Sequence, residues 1–245
     1  MQIIPLTTRR MRPPQDDLMA VLDAALTEFA DGDILVVTSK VVSLHQGRCV
    51  PMDGTDKRAL IAEEADSVIV PSHAAGHDFR LTITHNALLP SAGIDESNSD
   101  GYYTLLPRDP AAAARRIRRY VCTRFGVTRC GVIIADSHSL PLRYGVVGVA
   151  LGWWGLEPLR SYAGTPDLFG RRIRYAQSNI VDAVAAAAVL VMGEGAEAQP
   201  LARVRGVRGV RYTDRDTMAM LRIPSHHDLY ALLLQPFHNT PKDDA

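Results

Sequence analysis

The stretch GVIIADSHSLPLRYGVVGVALGWWGLEPL, residues 131–159, decides how the rest of the chain is read. It opens on an apolar, β-branched run, residues 132–135, that stops at Asp136. A short apolar run between a glycine and a polar turn reads as a buried strand. The first side chain beyond such a strand lies at a sheet rim, where ligand sites are built. Asp136 is therefore placed to bind something. The chain turns around Pro141 and re-enters an apolar segment, 145–155, spaced by Gly145, Gly148, Gly152 and Gly155. Glycine permits close backbone approach, so another element is expected to pack tightly over this segment. Trp153 and Trp154 are adjacent and cannot both point inward along one strand. An exposed one is best explained by a partner surface, so a dimer interface is expected to bury part of 145–155.

Outward from this stretch, the elements fall into place by periodicity. Residues 1–5 read as a short strand and residues 7–14 as a basic, proline-punctuated loop. Asp16 and Asp17 precede Leu18, Val21, Leu22, Ala25, Leu26 and Phe29, whose spacing predicts an amphipathic helix ending at Asp31-Gly32. Residues 34–37, taken with Val41 and Val42, read as a buried strand interrupted by Thr38, Ser39 and Lys40. That interruption is either a bulge or strand end, or a set of hydroxyls and an ammonium facing phosphate. A short helix is expected over 57–65 and a half-buried strand over 81–84. His73 and His77 are four apart, the spacing of paired metal ligands on a helix, but Pro71 and the intervening Ala-Ala-Gly argue against a helix there.

The loop 92–98, AGIDESN, carries Asp95, Glu96 and Asn98 and has the composition of a turn. Asp109-Pro110 starts a helix to about Arg124, whose Arg115, Arg116, Arg118 and Arg119 read as a solvated face. Residues 165–172 are turn-like. Ser178 or Asn179 caps a helix to Met192 that is apolar nearly all round and so belongs in a core. Residues 201–211 read as an edge strand and loop, Ser225 with Asp228 as a capping box for a last helix through Leu234, and the tail after Pro236 as frayed.

Composition bounds the function. The chain of 245 residues carries 27 Lys and Arg against 27 Asp and Glu, so bulk electrostatics do not hold it to nucleic acid or an anionic membrane. Cys49, Cys122 and Cys130 form no C-x-x-C pattern, which fits a reducing cytoplasm rather than a disulfide framework or thiolate zinc site. Residues 1–15 lack a signal-peptide core, and no apolar run reaches the roughly 18 residues of a membrane span. A soluble cytoplasmic protein is expected, organised as one unit over residues 1–245, with no readable boundary between any two subdomains.

Three carboxylates stand apart: Asp95, Asp136 and Glu194 each follow an apolar element and sit beside Gly or Ser rather than a basic partner. Hard divalent cations take oxygen ligands, and magnesium typically binds one or two carboxylates together with substrate phosphates and water. A split acidic site therefore suits nucleotide chemistry, although neither a Walker A sequence nor a G-x-G-x-x-G is present.

The segments GDILVVTSKVVS (32–43), AGIDESN (92–98), GVIIADS (131–137), GVVGVALG (145–152), DLFGR (167–171) and VMGEGAE (191–197) resemble, in that order and at similar spacing, the coenzyme F-420-0:L-glutamate ligase family of gamma-glutamyl ligases. The resemblance runs from about residue 31 to 206. It implies an α+β fold with a mixed sheet, an intertwined homodimer, two divalent ions (magnesium or manganese) per site, and GTP as co-substrate, with ATP as the alternative. By the same resemblance, Asp95 and Asp136 correspond to ligands of one metal, and Ser137 and Glu194 to ligands of the other. Ser39, Lys40, Asn98 and the loop of Met192, Gly193, Gly195, Ala196, Glu197, Ala198 and Gln199 correspond to nucleotide contacts, as does, less closely aligned, the loop of Met11, Arg12, Pro13 and Pro14. The implied reaction passes the γ-phosphoryl group to an acceptor carboxylate, and the amine of L-glutamate then attacks the acyl phosphate. No residue is assigned as general base.

The chain departs from the family pattern in three places. It has Ser43-Leu44-His45-Gln46-Gly47 where the family usually has Ser-Lys-x-Glu-Gly, and Ser139-Leu140-Pro141 where the family carries an arginine. Residues 88–91 also differ. These positions bear on whether the acceptor is the deazaflavin precursor or a pterin-type, folate-like molecule, and the sequence is similar to a branch labelled as folate gamma-glutamate ligases. The competing readings are a dimer that binds metal and nucleotide without catalysis, and a nucleic-acid binder built on the arginines of 115–119 and 203–211. The zero net charge disfavours the second of these.

Overall fold

The computed structural model describes residues 1–69, 80–224 and 227–238. The pair of strands anticipated in 131–159 is its centre. β8 (Gly131–Ser139) and β9 (Val146–Trp154) run antiparallel in a five-stranded mixed sheet with β1 (Gln2–Leu6), β2 (Ile34–Thr38) and β12 (Leu201–Arg205), in the order β1-β12-β2-β8-β9. β2 and β8 are parallel, pairing Ile34 with Gly131 and Thr38 with Ala135. β12 is antiparallel to both of its neighbours, so β1 points the same way as β2 and β8. The carboxyl ends of three strands thus share one rim of the sheet.

Both faces are covered. On one lie α1 (Leu18–Ala25), α2 (Ser39–His45) and α4 (Pro110–Phe125), whose Leu22, Val41 and Ile117 pack with Leu35, Val37 and Ile134. On the other lies α5 (Ile180–Met192), whose Val184, Ala185 and Ala188 pack with Val36, Ile133 and Ala135. Alternate residues of β2 and β8 therefore enter different cores, which is why these strands read as unbroken apolar runs. The glycines of β9 have the close neighbours expected of them. A Cβ at Gly148 would lie 2.5 Å from the Ala185 carbonyl oxygen of α5, and one at Gly152 would lie 2.6 Å from the Ala111 nitrogen of α4.

Between α2 and α4 the chain builds a smaller, separate core. β3 (Cys49–Pro51) pairs with β7 (Tyr102–Thr104), and β4 (Ser67–Ile69), β5 (Leu81–Thr84) and β6 (Ala87–Pro90) form a three-stranded sheet. α3 (Lys57–Glu64) packs Leu60 and Ile61 against Ile94, Tyr103 and Leu105 of this region. Beyond β9, a hairpin of β10 (Leu159–Ser161) and β11 (Gln177–Asn179) carries an exposed loop, and α6 (Ala231–His238) closes the described chain. Asp17, Asp56, Asp109 and Asn179 cap α1, α3, α4 and α5 through side-chain oxygens.

Several expectations are corrected. β8 does not stop at Asp136: the apolar run ends there, but antiparallel pairing with β9 carries the strand to Ser139 past a bulge at Ile134/Ala135. Residues 39–45 are helical, so Val41 and Val42 belong to α2 rather than to a continuing strand. α1 ends at Ala25, seven residues before Gly32, although Leu26 and Phe29 stay buried as coil. β12 lies between β1 and β2 and is not an edge strand. α5 is not enclosed on all sides, since Leu190 and Val191 are exposed. Neither tryptophan is left exposed, because the two faces of β9 are both covered. Trp153 is 3% exposed and donates its indole N–H to Thr217 Oγ1 at 2.9 Å, while Trp154 packs on the opposite core under the Arg115 guanidinium, 4.8 Å from its ring. Arg118 is likewise no solvated side chain: its guanidinium donates to the carbonyls of Cys130 and Thr128 at 2.9 and 2.8 Å. The last helix does not stop at Leu234 but continues through Pro236 to His238, so the tail directly after Pro236 is helical. The histidine pair 73 and 77, Ser225 and residues 239–245 lie outside the described residues.

Candidate active site

At the shared rim of β1, β2 and β8 a cavity of about 610 Å³ opens between the sheet, the loop after β1, the loop after α5 and the small core's loop 95–100. The end of β2 and the start of α2 deliver Thr38, Ser39 and Lys40 to it, and β8 delivers Asp136 and Ser137 one and two residues past the Thr38–Ala135 pair. Asp95, Asn98, Glu194 and the residues named above in the loops 11–13 and 192–199 also line it. Of the residues matched by resemblance to metal or nucleotide contacts, only Pro14, joined to Pro13 by a cis peptide bond, does not.

Each loop is fastened before any ligand arrives. Asp95 exchanges backbone hydrogen bonds with Thr104 at 3.0 and 2.8 Å, which anchors it to the small core. Asn98 takes a positive φ of 52°, a conformation Asn tolerates better than most residues, and reaches across to donate Nδ2 to the Gly195 carbonyl at 3.0 Å. Gly193 has φ 84° and ψ 167°, which L-residues avoid, and a Cβ there would meet the Glu197 carboxyl carbon at 2.5 Å. The glycine therefore lets Glu197 fold back beneath the loop and accept the Gly195 N–H at 2.8 Å. The loop after β1 is tied down by Thr8 N–H donating to the Ala198 carbonyl at 2.8 Å and by the Arg9–Asp16 pair at 2.7 Å.

The electrostatics are uneven. Lys40 Nζ lies 2.6 Å from Asp95 Oδ2 and donates to the Ser97 carbonyl at 2.6 Å. Ser97 in turn donates its N–H to Asp95 Oδ1 at 2.7 Å. Burial works to raise the Asp95 carboxyl, but the Lys40 ammonium and Ser97 outweigh it and hold the group below the usual carboxylate range. Asp136 has no such cation in contact among the described residues. Burial pushes it up to about 7, with the Asp95 charge adding and the hydrogen bonds from Ser137 N–H and the Ser39 hydroxyl opposing. Glu194 is also raised by burial, against a hydrogen bond with the Ser137 hydroxyl. The basic wall opposite consists of Arg9, Arg10 and Arg12. Arg9 is engaged by Asp16, whereas the side chains of Arg10 and Arg12 have no ion-pair partner among the described residues.

Three carboxylates and a hydroxyl are an oxygen-only donor set suited to a hard divalent cation. Their mutual repulsion, answered by one ammonium, is the imbalance such a cation would relieve. No group of three or more His, Cys, Asp or Glu side chains among the described residues is preassembled as a metal cage.

A chain with these residues at this rim can be placed among known proteins. Its residues 7–206 match the family model described as F420-0:Gamma-glutamyl ligase. The chain belongs to this family. It is 35% identical to the coenzyme F420:L-glutamate ligase of Methanopyrus kandleri over 92% of its own length and 96% of that protein's. It is 35% identical to the enzyme of that name from Methanothermobacter thermautotrophicus over 78% and 83% of the two chains, and 36% identical to that from Halorubrum lacusprofundi over 78% and 81%. These relatives are named as ligases, and the α+β architecture with its mixed sheet is consistent with the family. No helix among the described residues is long and apolar enough to cross a membrane.

Among the polar lining residues, Ser97, Arg9, Arg10 and Asp100 escaped the sequence reading. Ser97 had a usable signal, since a Ser two residues after an Asp is the spacing of a local side-chain-to-backbone turn. Arg10 lay in a loop recognised as basic, one residue before the predicted contacts. Asp100 is one more acid in a turn, with nothing in the sequence to distinguish it.

Proposed function

We propose that this chain is a nucleotide-dependent gamma-glutamyl ligase that joins L-glutamate to a carboxylate of coenzyme F420-0. The observation that supports it most is the convergence of Asp95, Asp136, Glu194 and Lys40 in one cavity, in a chain whose relatives carry that activity in their names. An amide does not form from a carboxylate and an ammonium in water without activation. GTP is read as the activator: its γ-phosphoryl group passes to an acceptor carboxylate oxygen and GDP leaves. The amine of glutamate then bonds to the acyl carbon, phosphate departs and the amine gives up a proton. Asp95 and Asp136 would hold one divalent cation, and Ser137 with Glu194 a second, magnesium or manganese. Bound there, such ions would supply charge neutralisation for the transferring phosphoryl group. Lys40, Arg10 and Arg12 offer cations to the phosphates or to an anionic acceptor, and the 193–199 loop offers backbone N–H groups and the Glu197 carboxylate.

The acceptor question turns on cations. Leu44 lines the cavity and supplies none, but Arg10 and Arg12 line it too. Leu140 stands in the exposed turn between β8 and β9, away from the cavity lining. The charge missing at Leu44 is therefore available from another backbone position, which favours the anionic deazaflavin acceptor over a pterin-type one.

A homodimer belongs to the same reading. Leu142, Tyr144, Val146 and Val147 are exposed around the β8–β9 turn, and an apolar patch of this kind is characteristic of an interface. Light scattering at micromolar concentration should give twice the chain mass, and a monomer would reject the dimer. The catalytic reading is tested by incubating the purified chain with GTP, L-glutamate, magnesium and either F420-0 or a folate, and following product mass. Gain of glutamyl residues on F420-0 at the higher kcat/KM is expected. Glutamylation of folate alone would reject the deazaflavin acceptor, and no adduct with either would reject the ligase.

A further inference from the structure

Lys40 is tied more tightly than a phosphate-binding lysine needs to be. Its ammonium has one face on Asp95 Oδ2 at 2.6 Å and two further contacts on Ser97, to the carbonyl at 2.6 Å and to Oγ at 3.1 Å. Both carboxylate oxygens of Asp95 are engaged in turn: Oδ1 accepts the Ser97 N–H, and Oδ2 takes both Lys40 and, at 3.2 Å, the Ser97 hydroxyl. The lysine stands at the start of α2 and the aspartate on the small core, so the pair also clasps the two cores across the cavity mouth. Asp136 and Glu194 lie close enough to feel the same ammonium. Lys40 is thus a shared counter-ion for three carboxylates, and a carboxylate oxygen engaged by an ammonium is not free to ligate a cation.

We infer that Lys40 is a positioning residue that couples the two kinds of ligand, covering Asp95 until an anionic phosphate draws its ammonium away. This inference rests on the ligase reading for the identity of those ligands. In that arrangement, the cation and the nucleotide each weaken the Lys40–Asp95 pair on behalf of the other. By linkage, each must then raise the affinity of the protein for the other by the same factor. A lysine that only contacted phosphate would raise nucleotide affinity without opposing the cation.

The test uses the full chain and two separate titrations, neither requiring turnover. In the first, manganese binding without nucleotide is followed by the electron paramagnetic resonance of free Mn2+. Lys40→Met, and Lys40→Gln as a second uncharged variant, should bind Mn2+ about fivefold tighter than wild type, at the low end of ordinary coupling. In the second, a non-hydrolysable GTP analogue is titrated with all divalent ions chelated. Asp95→Asn should bind it about fivefold tighter than wild type, because Lys40 is released. The gain should vanish when Asp95→Asn is made in the Lys40→Met background, which separates release of the ammonium from simple loss of negative charge. Unchanged or weaker Mn2+ binding in both Lys40 variants would overturn the coupling, as would an Asp95→Asn gain that survives in the double variant. Failure of the ligase reading has a different signature: wild type and Lys40 variants alike would bind no Mn2+ with or without the analogue.

Discussion

The two ends of the central sheet are chemically alike in composition and opposite in use. At the amino ends of β2 and β8, charge is abundant and matched. Asp33, fully buried, accepts from Nε and Nη2 of Arg205 at 2.7 Å each and from the Ala30 N–H at 2.9 Å. Arg203 pairs with Glu28, and Arg118 with Asp214. At the carboxyl ends, Asp95, Asp136 and Glu194 share the Lys40 ammonium, and Arg10 and Arg12, which line the same cavity, have no acidic partner among the described residues. What separates a fastening from a site is therefore the imbalance of charge. A buried ion pair that is complete offers a ligand nothing, whereas raised carboxylates beside free guanidinium groups offer both a cation and an anion a place.

Substitutions at the two ends should separate activity from stability. The largest effect is expected for Asp136→Asn, which keeps the shape of the side chain and removes its charge. Glutamyl transfer should drop about a thousandfold, the scale of losing one electrostatic contributor to a transition state, while the circular-dichroism melting curve stays at the wild-type position. A normal rate would remove Asp136 from the chemistry. Asp33→Ala should behave in the reverse way. Stability in urea should drop by about 2 kcal/mol, mainly because the Ala30 N–H loses the buried carboxylate it donates to, with kcat per folded molecule unchanged. If Asp33→Ala lost activity without losing stability, the division between the two ends would fail.

Two glycines sharpen the contrast on a smaller scale. Gly148→Ala would force β9 from α5 by its clash with the Ala185 carbonyl, and a cost of about 2 kcal/mol in unfolding free energy is expected. Gly193→Ala strains the 193–199 loop where it folds around Glu197. It should cost about 1 kcal/mol, read mainly as weaker nucleotide binding in calorimetry with little change in the melting temperature. Equal effects of the two substitutions on nucleotide binding would show that the loop is not a distinct element of the cavity.

Much of this was legible in the chain itself. The apolar runs of β2 and β8, the capped α4 and α5 and the glycine spacing of β9 carried the sheet and its two covering layers, because each is a local pattern. Residues that act across the fold were not legible. Nothing near Trp153 announces Thr217, and nothing near Arg205 announces Asp33, so the paired arginines of 203–211 read as an edge. The reach of β8 past Asp136 depended on pairing with β9, which overrides the end of an apolar run. At the site, the individual acids stood out as unpaired in sequence, and family resemblance grouped them. That Lys40 sits on Asp95 required the small core to be folded against α2.

Phosphoryl transfer at this rim, driven with the help of a divalent cation, is what has to hold. The direct measurement is parallel counting of inorganic phosphate and glutamyl product with F420-0, GTP and L-glutamate, after chelation of the purified chain and again after magnesium is restored. One phosphate per glutamate incorporated, appearing only when magnesium is returned, is the predicted result. Glutamyl product formed at full rate in the chelated protein, or phosphate released without any adduct, would contradict it.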